Sequence, residues 1–114
     1  MTARATDPTQ AGGEAVLANA FGALANPVRL RILRHIASHR HCCCKDITGC
    51  LPLAQSTVSQ HLKVLSDAGL IAVEARPPRS CYSVNERLLE AVAKEASAFL
   101  SGCCASRVRG KDDA

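Results

Sequence analysis

The chain has few aromatic residues: Phe21, Phe99 and Tyr82 are the only ones among 114 residues. A core this poor in rings must be filled by Leu, Val, Ile and Ala, which favours small packed helices over a sandwich or barrel. No run approaches the roughly 18 consecutive apolar residues of a membrane span, and Met1 to Gly13 lacks the charged-then-apolar order of a secretory signal. The expected location is therefore cytoplasmic, with no membrane partner. Also lacking are an internal repeat, a Gly-rich phosphate loop and a Cys/His arrangement with a credible pocket, so no enzymatic activity and no organic cofactor are expected. At this length one domain buries roughly two-thirds of the surface its unfolded chain exposes, a modest core that a partner subunit would help.

What the chain has in excess is thiol. Cys42-Cys43-Cys44 are consecutive, Cys103-Cys104 are adjacent, and Cys50 and Cys81 bring the total to seven. An odd number cannot pair completely within one chain, and in a reducing compartment cysteines serve as free thiols, metal ligands or redox sensors rather than structural disulfides. Thiolates are soft ligands, so their clusters suit soft ions. The net charge of +4 permits a phosphate-facing surface without establishing one.

Apolar spacing divides the chain into elements. Residues 1–13 and 105–114 read as flexible tails around a single domain, 14–104. Val16, Leu17, Ala20, Phe21 and Leu24 form a wide stripe on a first helix. Asn26-Pro27 opens a second helix as cap and first-turn proline, running to about Ser38, with Val28, Ile32, Leu33 and Ile36 inward. A short third helix is expected from Cys43 to Leu51, with Cys50 filling the core beside Ile47 and Leu51. After Leu51-Pro52-Leu53 a fourth helix spans Ala54 to Ala68 and stops at Gly69. Leu70 to Glu74 and Cys81 to Val84 read as strands, joined by Arg76-Pro77-Pro78-Arg79, a loop with too much proline for a two-residue hairpin. Asn85 caps a last helix from Glu86 to about Leu100, again with a wide stripe. The fold class is mainly α with a small β wing, a winged helix-turn-helix. The surplus apolar surface of the first and last helices is assigned to a homodimer interface.

On the fourth helix Val58, Leu62 and Leu65 share one face, leaving Ser56, Ser59, Gln60 and Lys63 on the other. Gln pairs with adenine, Ser and Thr bond to bases or phosphates, Lys supplies charge, and the helix start at Gln55, Ser56 and Thr57 offers N–H groups to a phosphate. Such a face alone is more often merely solvated; its place between a tight turn and a basic wing favours double-stranded DNA. Arg76 and Arg79 at the wing tip suit phosphates or a minor groove, against the alternative of a solvated pair. His61 lies about 60° around the helix from Val58, which favours a packed, hydrogen-bonded histidine over a phosphate contact.

The stretch Leu51-Pro52-Leu53-Ala54-Gln55-Ser56-Thr57-Val58-Ser59-Gln60-His61-Leu62-Lys63-Val64-Leu65, followed by Ala68-Gly69-Leu70-Ile71, closely resembles the ArsR (ArsR/SmtB) family of metalloregulatory repressors. Phe21 to Leu33 also looks like the family's start, and the match runs from about Val16 to Leu100. The resemblance implies a homodimer that represses its own resistance operon until a toxic ion releases it from operator DNA. It resembles the arsenic- and antimony-responsive members, which implies a trivalent metalloid, As(III) or Sb(III), held by three thiolates in a pyramid. Family arsenic sensors often carry Cys-Val-Cys-Asp-Leu at the third helix. Setting its Asp on Asp46 puts the first cysteine on Cys43 but the second on Lys45, whereas a shift of one pairs Cys42 with Cys44 and displaces the aspartate. Family zinc sensors use Asp, His and Glu of the last helix, and Glu86 to Leu100 contains no histidine, which argues against zinc.

Two clusters compete for the inducer. Cys103 and Cys104 stand where Gly102 relaxes the chain, so both thiolates can turn to one ion; Cys81 is roughly 20 Å or more from its own chain's pair, but an antiparallel dimer would bring up the partner subunit's Cys81. This set is preferred, with Cys42, Cys43 and Cys44 as the alternative. A second functional reading, a thiol-redox-sensing regulator of the same fold, has a disulfide rather than an ion release the DNA.

Overall fold

The computed structural model describes the backbone of residues 12–39 and 42–113, and side chains at 13–39, 43–44 and 46–104. The N-terminal tail expected at 1–13 lies almost wholly outside the described residues. In chain order the elements are α1 (Gly12–Leu24), α2 (Pro27–Ser38), β1 (Cys42–Cys43), α3 (Cys44–Thr48), α4 (Gln55–Asp67), β2 (Ile71–Arg76), β3 (Arg79–Val84) and α5 (Glu86–Asp113). The three strands form one antiparallel sheet in the order β1-β3-β2. This is the winged helix-turn-helix expected from the sequence, with α3 and α4 as its paired helices and β2–β3 as the wing.

Local chemistry sets the helix ends. The Asn26 side chain accepts from the N–H groups of Val28 (2.8 Å) and Arg29 (3.3 Å), and Pro27 fills the first turn of α2, where an N–H would lack a partner. Gly69 has φ +81°, the left-handed conformation that ends a helix with little steric cost only for glycine. There Leu70 N–H donates to Leu65 C=O (3.0 Å), the longer bond of a Schellman closure. Asn85 then binds three segments together: its N–H donates to Leu70 C=O (2.9 Å), its side-chain amide to Gly69 C=O (2.9 Å), and its Oδ1 accepts from Leu88 N–H (3.2 Å).

The core is aliphatic. Ile32 and Ile36 of α2, Ile47 of α3, Val58, Leu62 and Leu65 of α4 and Leu70 are almost fully buried, joined by Leu17, Ala20 and Ala23 of α1, Ile71 and Val92. The face assigned inward on α4 is the buried one. Val28 and Leu33 are only partly buried at its edge.

Four expectations need correction. Arg76 pairs with Arg79, so the wing is a two-residue hairpin turning at Pro77-Pro78, which are joined by a cis peptide bond. Cys50 is exposed, because α3 ends at Thr48 and a turn with Cys50 N–H on Ile47 C=O carries its side chain outward. The last helix does not stop near Leu100 but continues to Asp113. Gly102 therefore lies inside a helix and does not relax the chain before Cys103.

Candidate nucleic-acid interface and thiol sites

The buried stripe of α4 dictates what faces out. Gln55, Ser56, Ser59, Gln60 and Lys63 are exposed on the solvent side of the helix, with Thr57 half-buried at its margin. Ala54 caps α4 without a side-chain hydrogen bond, and its carbonyl accepts from Thr57 and Val58, leaving the N–H groups of Gln55 and Ser56 directed beyond the helix start. Lys63 Nζ lies 3.1 Å from Asp67, with both side chains largely exposed. Arg76 and Arg79 are exposed at the wing tip, Arg76 resting 3.4 Å from Glu74.

His61 is half-buried with Nδ1 3.4 Å from Arg29 Nη1, and the same guanidinium donates through Nε to Ala23 C=O at 2.6 Å. Guanidinium nitrogens only donate, so Nδ1 is the acceptor and the ring is a packed, hydrogen-bonded histidine. Arg29 thereby ties α4 to the end of α1, a role its place among three arginines of α2 gave no reason to expect.

The thiols fall into separate groups. Cys44 Sγ lies 3.6 Å from Ser59 Oγ and 3.9 Å from Gln55 C=O, so one cysteine of the triplet is in contact with the recognition helix. Cys43 is buried, and its N–H donates to the Asp46 carboxylate at 3.1 Å. That bond, then the Cys43 side chain, holds the Asp46 carboxyl below its ordinary value against a small opposing effect of burial; Arg79 and His35 assist. A cleft of about 230 Å³ opens between α3, the start of α4 and the wing, lined by Cys43, Cys44, Gln55, Arg79, Ser80 and Tyr82 among others. Burial, and next the neighbouring Cys44 charge, raise the pKa of the Tyr82 phenol above its ordinary value.

Cys81 stands directly opposite Cys43 across β1 and β3, in its own chain. Cys103 and Cys104 are exposed on α5, with their Cα–Cβ directions about 100° apart around the helix. The structure thus groups Cys43, Cys44 and the reader and separates Cys81 from Cys103 and Cys104 of the same chain. Among the described residues no three Cys, His, Asp or Glu side chains converge to hold an ion.

Residues 24–74 match a family profile described as a helix-turn-helix domain. The arsenical resistance operon repressor of Bacillus subtilis (strain 168) is 33% identical over 93 residues, spanning 82% of this chain and 84% of the relative. The chain belongs to the ArsR family. An ArsR-like transcriptional regulator from Rhodococcus sp. RHA1 shares the fold, with a TM-score of 0.75 at 21% identity over 90% of this chain and 96% of that one. So does a homodimeric winged helix-turn-helix DNA-binding domain from Mycobacterium bovis, a possible ArsR-family regulator, with a TM-score of 0.65 at 22% identity over 87% and 90% of the two chains. As an ArsR-family member this chain is a DNA-binding transcription regulator, and the segment that matches the helix-turn-helix profile includes α3 and α4. Among the described residues no helix is long and apolar enough to cross a membrane.

Proposed function

We propose that the chain is a cytoplasmic homodimeric repressor of a metalloid-resistance operon, released from double-stranded operator DNA when trivalent arsenic or antimony is taken up by cysteine thiolates. The observation that carries this reading is the contact of Cys44 with Ser59, which sets a soft ligand against the recognition helix. The relative from B. subtilis, an arsenical resistance operon repressor by name, supports the same reading. For the dimer, support comes from Val16 and Phe21 on α1 and Phe99 and Leu100 on α5, large apolar side chains left exposed.

Trivalent arsenic or antimony supplies a strong preference for sulfur, and protonated hydroxyl groups do not substitute for thiolates. Two donor sets remain. One is Cys103 and Cys104 with the partner subunit's Cys81, a set that requires an antiparallel dimer to bring that thiol to the exposed pair on α5. Cys44 lies against the reader itself with Cys43 beside it in the chain, and this set, which the sequence extends to Cys42, is the favoured one.

The test is a titration of operator-bound protein with arsenite and antimonite, followed by fluorescence anisotropy. Cys43→Ser/Cys44→Ser is expected to bind operator yet stay bound at inducer concentrations that release the wild type. Cys103→Ser/Cys104→Ser is expected to respond as the wild type does. The reverse pattern would move the sensor to α5, and release of both variants at wild-type concentrations would remove both thiol sites.

A further inference from the structure

The antiparallel register places Cys43 of β1 and Cys81 of β3 as direct partners, both with free thiols. Directly opposed residues of an antiparallel pair project to the same face with Cα atoms about 4.5–5.5 Å apart, inside the roughly 4.4–6.8 Å window that a disulfide spans. The two differ in access: Cys43 is 6% exposed, whereas Cys81 is only partly covered. Cys44 is turned to Ser59 and Gln55, Cys50 is exposed on its turn, and Cys103 and Cys104 are exposed on α5. Among the described thiols, Cys43 and Cys81 alone face each other across a strand pair.

We propose that Cys43 and Cys81 are a cross-strand oxidation site, converted by hydroperoxides to an intrachain disulfide that locks β3 of the wing to β1, the strand directly before the first helix of the DNA-reading unit. The Cys81 thiolate attacks the peroxide, the O–O bond breaks, and Cys81 becomes a sulfenic acid while the departing alkoxide or hydroxide takes up the proton the thiol had released, leaving as alcohol or water. Cys43, shielded from the oxidant but opposite the new sulfenic acid, attacks that sulfur; the S–S bond forms and water departs. In sum, two thiols and one hydroperoxide give one disulfide, one alcohol (or water) and one water, the two electrons passing to the peroxide. A dithiol reductant reverses the step by exchange.

The bond closes residues 43–81 into a ring that contains α3, the turn, the whole recognition helix and β2. Arg79, two residues from Cys81 on the same strand, lies on the same sheet face and follows β3 as the sulfurs are drawn together. Oxidation thus stiffens the reader and shifts the wing-tip charge at once. This modification needs no metalloid, but it uses Cys43, one of the thiolates favoured above for induction, so oxidation and metalloid uptake are mutually exclusive at that sulfur.

The experiment is non-reducing peptide mapping of the full-length protein after hydrogen peroxide treatment, with the remaining free thiols alkylated to prevent exchange, alongside melting and operator binding. The wild type is expected to yield a linked Cys43–Cys81 peptide, a melting temperature raised by several degrees and an operator Kd weakened at least threefold, all restored by dithiothreitol. Cys81→Ser is expected to show none of the three changes, while Cys50→Ser, at an exposed thiol, shows them all. Because Cys43 is buried, Cys81→Ser is the informative variant. A peroxide-treated wild type without the 43–81 link, or with other pairs in its place, would overturn the site. A mapped bond that leaves operator affinity unchanged would overturn its effect on the wing.

Discussion

Lys63 and Gln60 stand on the same exposed face and do different work. The ion pair of Lys63 with Asp67 is solvent-exposed and worth at most about 1 kcal/mol, so a DNA phosphate can take the ammonium from it. Lys63→Ala is therefore expected to weaken operator and random duplex alike and to lower the salt slope of binding by about 1. Gln60→Ala is expected to cost roughly 1–3 kcal/mol on the operator while leaving random DNA almost unaffected, since an amide paired with a base edge specifies sequence. Equal losses on the two duplexes would place Gln60 off the base edges. Asp46 offers a pH test: its pKa is depressed, so its contribution to stability is present above the ordinary carboxylate range and is lost as pH falls through the lowered value. Denaturant melts from neutral to strongly acid pH should show that acid limb in the wild type and a smaller one in Asp46→Asn.

At the scale of elements, Gly69 is the joint between reader and wing. A side chain there would adopt a left-handed backbone and meet Leu88 Cδ2 at 3.3 Å, so Gly69→Ala is expected to lose about 1–2 kcal/mol in denaturant unfolding, with little change in the DNA face. This joint was legible from sequence, as were α2 with its Asn26-Pro27 start and the buried and exposed faces of α4, because each follows from a local rule acting within one helix. The wing turn was not, because the usual two-residue hairpin turns need positive φ, which proline cannot adopt, so two prolines read as a longer loop. Strand β1 escaped as well: two cysteines are too short a segment to show alternation, and their pairing with β3 depends on residues nearly forty positions away. That missed pairing also hid the partner of Cys81. Cys50 and Gly102 were misplaced for a related reason, since burial and helix continuation depend on what surrounds a residue more than on its type.

At the scale of the molecule, the apolar residues left exposed on α1 and α5 call for a second copy. Sedimentation at micromolar concentration is expected to show a dimer, and Phe99→Glu to shift it towards monomer and weaken operator binding with it; a monomer that binds operator with full affinity would refute the pairing. The three bonds of Asn85 give such a dimer a mechanical property. The same residue anchors the end of the recognition helix, the entry to the wing and the first turn of α5, leaving no slack link between the helix assigned to the interface and the helix that reads DNA. Rotation of one subunit against the other is then delivered undiminished to the groove. One base pair inserted between operator half-sites turns the second groove by roughly 34–36°, a misalignment this rigid gearing cannot absorb. A series of operators with stepped half-site spacing should give a sharp affinity optimum for the wild type and a broader one for Asn85→Ala, making the DNA itself a protractor for the angle between the two readers.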